Sequence, residues 1–117
     1  IKDVYYNIAQ TYVLLKDNEK AKTNYSKSIE LNENLAQSYY FRGNVFFNEK
    51  KYKEAIDDFS KAIAAKADYA YAYNDRASAK RQLEDYDGAI ADFGCHIFFM
   101  LMAEIKYFTY FLKLAFE

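Results

Sequence analysis

Cys95 and His96 are the single thiol and the single imidazole of this 117-residue chain, and they stand side by side. A thiolate with a base in hydrogen-bond reach is a nucleophile, so this pair is the first candidate for chemistry. On a helix, however, neighbouring side chains point about 100° apart and do not face each other. One Cys and one His are also too few for a zinc site unless carboxylates or a second chain contribute. Gly43, Gly88 and Gly94 are too scattered to cradle a phosphate. Carboxylate pairs such as Asp57-Asp58 lie beside Lys and Arg, where solvated helix surface explains them. No enzyme, cofactor or metal site is expected.

Composition narrows the choice further. Hydrophobic residues make up 52% and aromatics 20%, which excludes disorder. Lys plus Arg number 16 against 17 Asp plus Glu, net −1, so no basic excess exists to neutralise a nucleic-acid backbone. A lone cysteine makes no internal disulfide, so nothing requires an oxidising compartment and a cytoplasmic setting is expected. The first residue is Ile1 and patterned sequence starts at once, which reads as a fragment or processed form and leaves room for repeats upstream.

The elements that must position any functional residue come from a repeat. Tyr39, Gly43, Phe46, Tyr52, Ala55, Phe59, Ala62 and Ile63 alternate large and small side chains at helical spacing. Shifted forward by 34, the ladder reads Tyr73, Ala77, Lys80, Tyr86, Ala89, Phe93, His96 and Ile97. Shifted back by 34, it reads Tyr5, Ala9, Tyr12, Asn18, Ala21, Tyr25, Ser28 and Ile29. Such a period belongs to helix–turn–helix solenoids. With no proline and three glycines, Asn, Asp and Lys clusters must supply the breaks. Asp17 or Asn18, Asn34 (with Gln37 as a capping box), Asp68 and Glu84-Asp85 are the expected helix starts. Gly43 inside a helix suggests a close helix–helix approach, with Ala9 and Ala77 in the equivalent places.

Tyr39-x-x-x-Gly43-x-x-Phe46 followed by Tyr52-x-x-Ala55-x-x-x-Phe59-x-x-Ala62 closely resembles the tetratricopeptide repeat. The resemblance implies an all-α, right-handed solenoid in one domain, residues 1–117, with repeats at about 2–35, 36–69 and 70–103 and an apolar helix at about 98–117. It also implies a protein-interaction module, whose leading helices form a concave wall for an extended peptide or a helix of a partner protein. Residues rotated off the packing stripe would line that wall. They are Asp3, Tyr6, Asn7, Gln10, Val13 and Leu14, then Gln37, Tyr40, Phe41, Asn44, Phe47 and Asn48, then Tyr71, Asn74, Asp75, Ser78, Arg81 and Gln82. Amides pair with peptide backbone and aromatic rings add rigid contact area; Tyr6, Tyr40 and Asn44 would otherwise stand exposed without purpose. Relatives that bind chaperone tails carry a basic carboxylate clamp. The matching positions here are Tyr6, Gln10, Phe41, Tyr71 and Asp75, none of them cationic, so that ligand is not expected.

The pattern fails after Phe93. Phe99-Met100-Leu101-Met102 stands where Leu31-Asn32-Glu33-Asn34 and Ala65-Lys66-Ala67-Asp68 break the earlier repeats. From Ile97 to Glu117, 16 of 21 residues are apolar. Three readings compete for this tail. It caps the array, though Phe111 falls on the small-residue position. It continues the helix from about Tyr86 and self-associates through Phe98, Leu101, Ile105, Phe108, Phe111 and Leu112, as a homodimer or tail-swapped pair. Or it enters a membrane, against which Glu104 and Lys106 at mid-segment weigh.

Overall fold

A computed structural model describes residues 2–117, and within them the chain is helical throughout. Six helices follow in order: α1 Val4–Leu14, α2 Asn18–Glu30, α3 Leu35–Asn48, α4 Tyr52–Ala65, α5 Ala70–Gln82 and α6 Tyr86–Phe116. They pair as the hairpins α1–α2, α3–α4 and α5–α6, and each hairpin packs on the next through α2–α3 and α4–α5. Helix α3 also touches α5, so the leading helices share one wall.

The ladder is the core. Ala9, Ala21, Ala55, Ala62, Ala77 and the rings of Tyr25 and Phe59 are fully buried. Gly43 is where two backbones meet most closely. A methyl group there would lie 2.7 Å from the Phe59 ring and 3.3 Å from Asp58 Cβ, which is why glycine holds that rung. Tyr5, Tyr39 and Tyr73 occupy one repeated environment. Each is half-buried and lies under a cation: Lys27 at 5.3 Å, Arg42 at 5.6 Å and Arg76 at 5.4 Å from the ring centres.

The turns inside the hairpins form without glycine or proline. Lys16, Lys50 and Glu84, 34 residues apart, all take the left-handed conformation, with φ of 59°, 62° and 64°. Behind each, the next amide reaches back five residues: Asp17 to Tyr12, Lys51 to Phe46 and Asp85 to Lys80, all at 2.9 Å. These bonds close the helix carbonyls in the way glycine-terminated helices usually do. Asp17 and Asp85 cap α2 and α6, accepting from the Lys20 and Gly88 amides. Two expected caps differ. Asn34 is left-handed at φ 43° with no side-chain cap, so the Asn34–Gln37 box does not form, and Tyr69 rather than Asp68 precedes α5.

A second correction concerns Asp57-Asp58. Asp57 is solvated and pairs with Lys61, but the Asp58 side chain is only 2% exposed. Its two oxygens receive Arg42 Nε and Nη2 at 2.7 and 2.8 Å, while Arg42 Nη1 donates to Ser26 in the preceding repeat at 3.0 Å. The arrangement recurs one repeat later. Arg76 donates to Asp92 at 2.8 and 2.7 Å and to Ser60 at 3.1 Å, and Lys80 adds a contact to Asp92 at 3.0 Å. These are charge-assisted, two-pronged bonds that bind a hairpin internally and to its neighbour at once.

The apolar tail is no separate helix beginning near residue 98. It continues α6 without a break, because Phe99-Met100-Leu101-Met102 offers no residue suited to the left-handed positions that Asn32 and Asn34 take. Phe99 still stacks on Tyr73 at 5.5 Å. Beyond it the helix leaves the array, and Phe98, Leu101, Ile105, Phe108 and Phe111 are each more than half exposed, with Leu112 at 38%. The tail therefore does not cap its own repeat. By length and composition α6 is apolar enough to cross a membrane, and little of its apolar window is buried.

Candidate functional site

Helices α1, α3 and α5 carry the expected wall residues, and the structure sorts them into anchored and free groups. Gln10 links wall to core: its amide donates to the Tyr6 hydroxyl at 2.9 Å, and its carbonyl accepts from the buried Tyr25 hydroxyl at 2.6 Å. Phe41 closes this group, 6.2 Å from Tyr6 and 6.5 Å from Tyr25. Asn7 is exposed beside them, as are Val13 and Leu14. Contrary to expectation, Tyr6, Tyr40 and Asn44 are half-buried and partnered or pocket-lining, so their presence on the wall does not by itself demand a ligand.

Tyr40 stands at the centre. Its ring lies 5.0 Å from both Phe41 and Tyr69, and its hydroxyl donates to Asp75 Oδ2 at 2.6 Å. Burial, reinforced by that carboxylate, pushes the Tyr40 hydroxyl pKa well up, so it stays a donor. Burial also pushes Tyr69 up to about 12. Asn74 donates to the other Asp75 oxygen at 3.1 Å.

Two concavities open on either side of Tyr40. One, of about 560 Å³, is lined by Gln37, Tyr40, Phe41 and Tyr71, together with Tyr69, Ala70, Lys66 and Asp68. The other, of about 260 Å³, is lined by Asn44, Phe47, Asp75 and Ser78. Arg81 is exposed and lines neither. Sequence spacing missed Lys66, Asp68 and Tyr69, because they belong to the turn before α5 rather than to its face; the aromatic at Tyr69 was the available signal. Among the described residues, no three His, Cys, Asp or Glu side chains converge to hold a metal. His96 Nδ1 instead lies 3.0 Å from the Ala70 carbonyl.

The tetratricopeptide repeat pattern matches residues 2–35 and 36–69, more than half of the chain. The chain belongs to the tetratricopeptide repeat family. Human tetratricopeptide repeat protein 13 is 31% identical over 78 residues, covering 67% of this chain and 9% of that protein. Human neutrophil cytosol factor 2 is 33% identical over 58 residues, covering 50% of this chain and 11% of that protein. The chain thus spans only about a tenth of the length of these relatives. Among solved structures, the first repeat domain of Spaghetti (RPAP3), bound to the HSP90 peptide SRMEEVD, superposes with TM-score 0.80 at 20% identity. That likeness covers 94% of this chain and 91% of the other. The Arabidopsis OM64 domain gives 0.78 at 27% identity, covering 83% and 80%. The solenoid fold of this repeat protein is thereby shown.

Proposed function

We propose that this tetratricopeptide repeat chain is a protein-interaction module, and that the wall of α1, α3 and α5 receives a segment of a partner protein. The observation that carries this reading is the pair of concavities flanking Tyr40 on the α3–α5 wall. They combine rigid aromatic surface with amide and hydroxyl groups, the combination that holds an extended backbone or a short helix. Two similar structures hold an HSP90 peptide in their repeats. In this chain the places of the carboxylate clamp are held by Tyr6, Gln10, Phe41, Tyr71 and Asp75, so an acidic chaperone tail finds no cation there. The ligand is accordingly of another chemistry.

The test is selection of a displayed random-dodecapeptide library on the full chain, repeated with Asn44→Ala plus Tyr71→Ala. Both side chains border the concavities and neither is in the buried core, so folding is expected to survive. Binders that lose at least about tenfold in affinity for the double variant support the wall as the site. Binders indifferent to it, or no binders, count against it.

The second reading is self-association through α6. The exposed face bearing Ile90, Ile97, Leu101, Phe108 and Leu112 runs along most of a 31-residue helix, and such a stripe is suited to an identical partner. Sedimentation of the full chain should show a dimer that Leu101→Glu plus Phe108→Glu dissolves into monomers. A monomeric parent protein rules this reading out.

A further inference from the structure

Asp75 is a half-buried carboxylate at the middle of the wall, on α5, and among the described residues it has no counter-ion. Its two oxygens accept from Tyr40 and Asn74, and both donors are neutral. The two buried acids, Asp58 and Asp92, each hold a guanidinium. Among the described residues, no lysine, arginine or histidine nitrogen lies within salt-bridge distance of the Asp75 carboxylate. A half-buried carboxylate with neutral partners keeps its lone pairs partly unused and its charge uncompensated.

That carboxylate opens on the smaller concavity, about 260 Å³, beside Asn44, Phe47 and Ser78. The four side chains complement one kind of occupant. Asp75, Asn44 and Ser78 carry oxygen acceptors for N–H groups, and the Phe47 ring adds apolar surface suited to an aliphatic stem. An acidic occupant would meet like charge, and an apolar one would strip water from the carboxylate without replacing it. We propose that this pocket takes the lysine or arginine side chain of a partner segment, so that the partner is chosen by a basic anchor. The proposal rests on the reading of the wall as the binding surface. Tyr40 lies between the two concavities, so the anchor and an apolar residue for the Tyr71 side stand close together in the partner's sequence.

The library selection tests this when its sequences are read. The expected result is one position fixed as Lys or Arg among the winners. A synthetic peptide of the leading sequence should bind Asp75→Asn about tenfold more weakly than the parent protein. Replacing the peptide's basic residue by norleucine should cost the parent the same factor and cost Asp75→Asn little more. The norleucine arm acts on the ligand alone, so it decides the matter even if Asp75→Asn folds poorly. Winners without a fixed basic residue overturn the basic anchor while leaving the wall as the binding surface. Equal norleucine losses on both proteins overturn it as well. A selection that yields no binder overturns both readings together.

Discussion

Adjacent aspartates with opposite surroundings give the sharpest test of the packing. Asp58→Asn keeps the shape and one acceptor oxygen but removes the charge facing Arg42, whose own side chain is only 19% exposed. Removing one partner of a buried ion pair costs about 3–5 kcal/mol, and the surviving acceptor places this case at the lower end, about 3 kcal/mol. A small domain has only about 5–15 kcal/mol in hand, and each kcal/mol moves Tm by roughly 4 °C at this size. Thermal and urea melts followed by far-ultraviolet circular dichroism should therefore show a fall of about 12 °C. Asp57→Asn, one residue away and paired only with solvated Lys61, should change stability by less than about 0.5 kcal/mol. Replacing both members of the buried pair, Arg42→Met with Asp58→Leu, should restore most of the loss, because no orphaned charge is left. A cost below about 1 kcal/mol for Asp58→Asn, or an equal cost at Asp57, would refute this account.

Other outcomes follow from the same geometry. Lys50→Gly relieves a left-handed residue at φ 62° and should raise stability by about 1 kcal/mol in a urea melt, whereas Lys53→Gly, in the first turn of α4, should lower it. Burial pushes the Asp92 carboxyl up, but hydrogen bonds from Arg76 and Lys80 outweigh it and hold the group below its ordinary 3.8. A depressed carboxylate contributes stability that is complete above the unfolded value and drains away on acidification. Tm should accordingly fall from pH 4 downwards, and Asp92→Asn should flatten that fall. Tyr40→Phe removes the donor to Asp75 and should cost about 1 kcal/mol in the same melt, leaving the ring contacts with Phe41 and Tyr69 in place.

The period and the ladder were legible because small and large side chains at 34-residue spacing leave one way to stack hairpins. Ala9, Gly43 and Ala77 read correctly as close-approach rungs, and all three are buried. What escaped was polar. Asp58 looks in sequence like any acid on a charged helix. Its burial depends on Arg42, which lies 16 residues earlier on another helix, and on Ser26 a further 16 before. Local spacing carries no sign of a partner so distant. On the wall, spacing chose the right helices but not the side-chain directions. Tyr6 and Gln10 turn toward Tyr25, and the turn residues Lys66 and Asp68 enter the larger concavity from outside any helical stripe. The tail was readable as continuous helix, since nothing after Gly94 favours a turn. Its exposure was settled by direction: Phe99 is the last side chain seen stacking on the array, against Tyr73.

The arginine contact also bears on modular construction. Residues 36–69 hold Arg42, Asp58 and Ser60, the full set for receiving a neighbour on one side and reaching one on the other. Tandem copies of that segment alone would satisfy every boundary with the same three side chains. The first segment has Ile8 and Asn24 in the corresponding places and keeps only the Ser26 hydroxyl, so it can start such a chain but cannot be inserted within one.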